Sequence, residues 1–256
     1  MWRGGSTGPS AEAELSFWSL HAGLPRQAPG SDATTRAMLD AQGARPGQRA
    51  VDVGCGPGRS ALVLAAAGLE VLAVDTHPPF LAELDPAAGA AGLTDRIRTA
   101  RASMEDLPVA DGSVDVVWSE GAAYLMGLPA ALTQWPRLLR PGGGLALTDC
   151  CWLTEHPSPA AARFWAEGYP SMRTVEETLE LVAERGLRTV AHWTLPDSDW
   201  EEYYGPLRER VGAAADGAVV RAVRRELDLR AAHGAEYGYV AFVLAPDPGA
   251  RAFQPA

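Results

Sequence analysis

The run Ala50-Val51-Asp52-Val53-Gly54-Cys55-Gly56-Pro57-Gly58 constrains this chain more than any other feature. Its apolar first half reads as a short strand covered on both faces, the pattern of a parallel sheet. Glycine at every second position then lets the backbone turn with positive φ and lie close to whatever sits on the loop. Residues 60–67, rich in Ala and Leu, read as a helix stopped by Gly68. A second apolar strand, residues 69–74, follows and ends at Asp75. Strand, glycine loop, helix and strand form one unit that makes sense only as part of a layered α/β domain.

The rest of the chain keeps that alternation. Ser31 or Asp32 caps a helix running to Gln42, and Gly43 ends it. Helices are expected at 79–90, 129–139 and 175–185, with a long helical stretch at 199–234. Further strands are expected at 96–102, 114–119, 145–151, 188–195 and 237–244. Seven strands alternating with helices predict a Rossmann-like, mostly parallel sheet with helices on both faces. Extra helical material at the N-terminus, at 152–172 and at 199–234 is placed as a cap over the strand ends, where such sheets bind ligands. The division expected is a tail and gating helix at 1–30, one domain at 31–246 and a loose tail at 247–256.

Composition removes several chemistries. All 22 basic residues are arginine, with no lysine, no asparagine and a single isoleucine, Ile97. Without lysine there is no Schiff base and no P-loop lysine on a phosphate. Without asparagine there is no N-glycosylation site and no Cys-His-Asn protease. A net charge of -10 argues against a nucleic-acid or anionic-membrane partner, which needs a basic field. Arg221, Arg224, Arg225 and Arg230 read as the solvated face of a helix. No apolar run is long enough to span a membrane, no secretory leader is visible, and Cys55, Cys150 and Cys151 make no disulfide framework. The adjacent Cys150-Cys151 pair lacks metal-ligand spacing, so no metal is expected. Cytoplasmic residence is the expectation.

The loop's spacing narrows its ligand. A dinucleotide site is Gly-x-Gly-x-x-Gly, and here the last position is Arg59. The pattern therefore leans away from NAD. Asp52 points toward the loop, and Asp75 suits either a ribose diol or the start of the next helix.

With those residues in place, the chain resembles the class I S-adenosylmethionine-dependent methyltransferases. Residues 51–58 look like the family's first motif and Asp75 like its ribose-binding acid. Ser103-Met104-Glu105-Asp106-Leu107-Pro108 is similar to the adenine-contacting segment, with Ser103 where the family often has Asp. Residues 114–120 look like its fourth strand and 138–143 like the turn before its fifth. Beyond this stretch, residues 27–31, 118–124 and 164–170 resemble a subgroup acting on small molecules.

The resemblance implies a seven-stranded sheet with its last strand antiparallel, and S-adenosylmethionine as cofactor, leaving S-adenosylhomocysteine. The cofactor residues it implies are Asp52, Gly54, Cys55, Gly56, Gly58, Asp75, Thr76, Ser103, Met104, Glu105 and Ser119. Arg26 is a candidate partner for the cofactor carboxylate or half of a surface ion pair.

The implied function is methyl transfer by in-line displacement to an oxygen or nitrogen of a small, aromatic or apolar metabolite, in secondary metabolism. The enzyme would be a monomer or homodimer. Lacking asparagine, the chain cannot carry the family's Asn-based DNA motif or its metal-dependent catechol site. Aromatic residues in the cap suit a flat substrate or a sulfonium. Tyr124 and Trp152 are the foremost of them, because they follow strand ends. A hydroxyl or ammonium substrate needs a base, and the candidates are Glu120, His21 and His156. The alternatives are a non-catalytic S-adenosylmethionine or nucleotide sensor on the same fold, and an NAD-dependent oxidoreductase.

Overall fold

A computed structural model describes residues 19–249. Its strands are β1 (Arg49–Val53), β2 (Glu70–Asp75), β3 (Ile97–Arg101), β4 (Val114–Glu120), β5 (Leu139–Trp152), β6 (Leu187–Thr194) and β7 (Tyr237–Pro246). They form one seven-stranded sheet in the order β3-β2-β1-β4-β5-β7-β6. Every pairing from β3 to β5 is parallel, whereas β7 runs antiparallel to both β5 and β6. The α/β sheet with an antiparallel last strand is thus the fold expected from the sequence. The strand order reverses at β1, with β2 on one side and β4 on the other. That places the carboxyl ends of β1, β2 and β4 around one crevice.

Side chains alternate across the sheet with period two. In β7, Tyr237, Tyr239, Ala241 and Val243 join one apolar layer, and Val240, Phe242 and Leu244 the other. In β5, Cys150 and Cys151 fall on opposite faces for the same reason, both buried and both free thiols.

The helices are α1 (Asp32–Gln42), α2 (Arg59–Ala66), α3 (Pro78–Ala90), α4 (Leu128–Gln134), α5 (Pro159–Gly168), α6 (Val175–Glu184), α7 (Asp197–Ala213) and α8 (Ala218–His233). The Ser31 hydroxyl accepts from the Thr34 N–H at 3.0 Å to start α1, and Gly43 ends it at φ 68°.

Three boundaries differ from the sequence reading. The expected helix 129–139 stops at Gln134 and tightens into a 3-10 turn, Trp135–Leu138, around Pro136, which has no N–H to continue the ladder. Strand β5 begins six residues early, through the Pro-Gly-Gly turn. A Cβ on Gly143 would stand 2.7 Å from the Asp115 carbonyl oxygen, so the glycine is what lets the chain pair there. The stretch 199–234 is two helices, broken where Ala214 turns extended, and Asp216 then pairs with Arg221 at 2.6 Å and Arg224 at 3.3 Å. Among the described residues no helix is long and apolar enough to cross a membrane. The expected tail and helix before residue 19, and the tail beyond 249, lie outside the described residues.

Candidate active site

The turn after β1 is built as the glycines require. Gly54, Gly56 and Gly58 have φ of 70°, 55° and 86°. The N–H groups of Gly54 and Cys55 bond the Val74 carbonyl at 2.8 and 3.0 Å, tying the loop to β2. Asp75, at the end of β2, accepts from Gly56 N–H at 2.9 Å through Oδ2 and from His77 N–H at 2.8 Å through Oδ1. It stiffens the turn into α3 and still faces the cavity, because a carboxylate oxygen accepts more than one hydrogen bond. Asp52 is buried behind the loop, and its Oδ2 has no hydrogen-bond partner among the described residues. Burial, then the charges of Glu120 and Asp75, push its carboxyl well above the usual range.

A second cluster closes the site from the N-terminal side. Residues 19–30 cross the mouth of the crevice as a strap. Arg26, only 6% exposed, reaches Glu120 at 3.2 Å, Asp32 at 3.1 Å and Glu202 at 3.6 Å, so one guanidinium joins the strap to α1, to the end of β4 and to α7. Glu120 also accepts from Thr35 Oγ1 at 2.7 Å and Trp118 Nε1 at 2.9 Å. Arg59 caps the array by pairing with Asp32 at 2.7 Å. The strap packs closely, since a Cβ on Gly121 would meet the Ala28 Cβ at 2.5 Å.

Between loop and strap lies a cavity of about 510 Å³. At one end it is bounded by the glycine loop, Asp75, Thr76, Phe80 and Met104. The other end is walled by Tyr124, Trp165, Trp200, Tyr203, Tyr204 and Tyr239, with α8 across from them. One end thus offers backbone and carboxylates, and the other flat apolar walls.

Known proteins share this fold. A methyltransferase from Geobacter sulfurreducens, solved with S-adenosyl-L-homocysteine, superposes with a TM-score of 0.77 at 21% identity, covering 90% of this chain and 97% of that one. It shows the fold. The family described as a methyltransferase domain matches residues 51–147, from β1 into β5. The O-methyltransferase resE of Aspergillus sclerotiorum is 31% identical over 175 residues, 65% of this chain and 66% of that protein. Residues 51–147 of this chain thus form a methyltransferase domain. The 27-O-demethylrifamycin SV methyltransferase of Amycolatopsis mediterranei is 32% identical over 183 residues, 70% of this chain and 60% of that enzyme. The chain therefore spans just under two thirds of the length of these curated relatives.

In the folded chain the residues singled out from sequence divide. Gly54, Cys55, Gly56, Asp75, Thr76, Met104, Arg26, Glu120, Tyr124 and His21 all line the cavity. Gly58 instead sits over Leu84, whose Cδ1 would lie 2.3 Å from an added Cβ, and it serves to pack α2 against α3. Ser103 and Glu105 are exposed, and the Ser103 hydroxyl accepts from the Glu105 N–H at 3.2 Å. Ser119 is buried and donates to the Val53 carbonyl at 3.0 Å, a strand-to-strand tie away from the lining.

Among the base candidates, His156 is exposed on the loop after β5 and does not line the cavity. Glu120 holds three donors and acts as a structural post. His21 is buried, with Nε2 3.4 Å from the Tyr203 hydroxyl. Trp152 packs edge-on against Tyr237, also outside the lining. The basic face expected on α8 is solvated only in part. Arg230 lies 14% exposed, with its guanidinium 3.9 Å from the Trp200 ring centroid and paired to Asp197.

Two groups were not anticipated, the half-buried Glu226 of α8 and the buried Asp149. Asp149, in β5, receives the Tyr169 hydroxyl at 2.7 Å, and Tyr169 in turn packs on Tyr124 with ring centroids 5.5 Å apart. Burial pushes Asp149 up to about 7, against the pull of that hydrogen bond. The folded chain therefore keeps a proton that the unfolded chain releases above about pH 4. The stabilisation is full below that pH and is lost as pH rises through about 7, on the order of 4 kcal/mol in all. Asp149→Asn should melt higher than the unsubstituted chain at pH 8 and show a flatter stability profile between pH 5 and 8. Parallel profiles by denaturant titration would contradict this.

Proposed function

We propose that this chain transfers the methyl group of S-adenosylmethionine to an oxygen of a small aromatic metabolite, in secondary metabolism. The supporting observation is one continuous cavity with a glycine-and-carboxylate end and an aromatic end. The residues present suit the cofactor. Positive-φ glycines leave room for close backbone approach, and Asp75 suits a ribose diol. Asp75 and Glu120 set up a negative field suited to a cationic ligand, and the Asp52 carboxyl behind the loop keeps an oxygen without a hydrogen-bond partner among the described residues. When bound, S-adenosylmethionine supplies a methyl carbon made electrophilic by positive sulfur. The protein's part is to align substrate with cofactor and to keep water out. We take Met104 as the adenine wall and residues 19–30 as the gate, within a catalytic domain of 31–246.

Oxygen is favoured over nitrogen because one relative is named an O-methyltransferase and another acts on 27-O-demethylrifamycin SV. A cavity that continues beyond the cofactor end favours an enzyme over a nucleotide sensor. Calorimetric titration with S-adenosylhomocysteine tests the cofactor half, and absence of binding at millimolar ligand would end the proposal. Asp75→Ala should weaken that binding at least tenfold, about 1.4 kcal/mol. Equal affinities would remove Asp75 from the ribose role.

A further inference from the structure

Helix α8 reads from sequence as a charged, solvated element, yet one of its carboxylates lines the aromatic end of the cavity. Glu226 lies there with Ala222 and Val223 one turn before it. The Tyr204 hydroxyl of α7 donates to its Oε1 at 2.8 Å. Burial first, and the Glu226 charge second, push the Tyr203 and Tyr204 hydroxyls above the ordinary phenol range. Both tyrosines stay protonated, and Tyr204 remains a donor. The other two carboxylates of the lining have structural work. Asp75 holds the Gly56 and His77 backbone, and Glu120 holds Arg26, Thr35 and Trp118.

Resting on the methyl-transfer reading above, we propose that Glu226, oriented by Tyr204, takes the proton from a phenolic hydroxyl of the substrate as that oxygen is methylated. The oxygen lone pair forms the new O–C bond, and the C–S bond breaks with its electron pair passing to sulfur. The hydroxyl proton moves to a Glu226 oxygen. The products are a neutral ether, a neutral thioether and protonated Glu226, which returns the proton to solvent. A base so placed contributes roughly 10²–10⁴ in rate. A phenol fits these surroundings better than an ammonium. The aromatic walls receive a flat ring, and the Trp200 ring already carries the Arg230 cation at 3.9 Å.

The full chain saturated with S-adenosylhomocysteine allows a test without the natural substrate. The probe is 4-nitrophenol, whose colourless phenol and yellow phenolate differ in absorbance near its own pKa. A carboxylate at the hydroxyl favours the phenol form. The bound probe should therefore be paler than free probe at the same pH. Glu226→Gln should shift its ionisation toward phenolate by about tenfold, the effect of one lost neighbouring charge. Tyr204→Phe should shift it the same way by a smaller factor. S-adenosylhomocysteine affinity, measured alongside, should stay within about twofold in both variants, since neither residue touches the glycine loop. The same bound-probe colour in Glu226→Gln and the unsubstituted chain overturns the proposal. So does failure of the cofactor-loaded chain to bind the probe. Failure to bind S-adenosylhomocysteine at all would instead overturn the methyl-transfer reading on which it rests.

Discussion

Gly54→Ala is expected to lower S-adenosylhomocysteine affinity at least a hundredfold. Gly54 sits at φ 70°, where an L side chain costs about 1–2 kcal/mol. The new methyl would also lie 2.5 Å from the Ala122 Cβ, which belongs to a short, inflexible side chain just past Glu120 and Gly121. The loop or the end of β4 must move, and both bound the cavity. Together the effects reach about 3 kcal/mol, hence the factor of about a hundred. Calorimetry checks the affinity, and thermal melting separates site damage from general unfolding. A variant binding within threefold of the unsubstituted chain would mean that the loop relaxes without disturbing the site.

Arg26→Ala is expected to destabilise the closed site by about 3–5 kcal/mol, the range for removing one partner from a buried ion pair. Arg26 is 6% exposed, and its loss leaves the Glu120 carboxylate, 7% exposed, without its cation and close to Asp52. The strap loses its tie to β4 and α7. S-adenosylhomocysteine should then dissociate faster, and protease should cut within residues 19–30 at concentrations that spare the unsubstituted chain. Arg26→Lys should fall between the two, because an ammonium supplies charge without the planar fork that spans Asp32 and Glu120. Identical dissociation rates for Arg26→Ala and the unsubstituted chain would reduce the cluster to an ornament.

How much of this was legible in the sequence depends on the range of the forces involved. Ser31 and Gly43 announce the ends of α1 because capping is local, and β1 with its glycine loop announces a ligand turn for the same reason. Asp75 is legible because a strand length fixes its distance from that loop. Arg26 and Glu120 are 94 residues apart, and no spacing rule reveals that one holds the other. His156 was attractive because it follows β5, but β5 extends through Trp152 and the loop after it carries the ring into solvent. Ser119 was attractive as the end of β4, yet pleating turns its hydroxyl to β1. Glu226 was hidden among the arginines of α8. The charge pattern marks a solvated helix, while packing against α7 turns one stripe of it inward.

Strand β7 lies between β5 and β6 although it follows both in the chain. Until residues 237–246 emerge from the ribosome, β5 has an unpaired edge, and β6 has no place in the sheet. Tyr239, which walls the cavity, belongs to that same late strand. Synthesis thus passes through a stage in which five parallel strands can form while their growing edge stays open to other chains. The crevice is completed in the same step that seals this edge. An incompletely made chain therefore presents an adhesive sheet, and only the finished chain has a walled site.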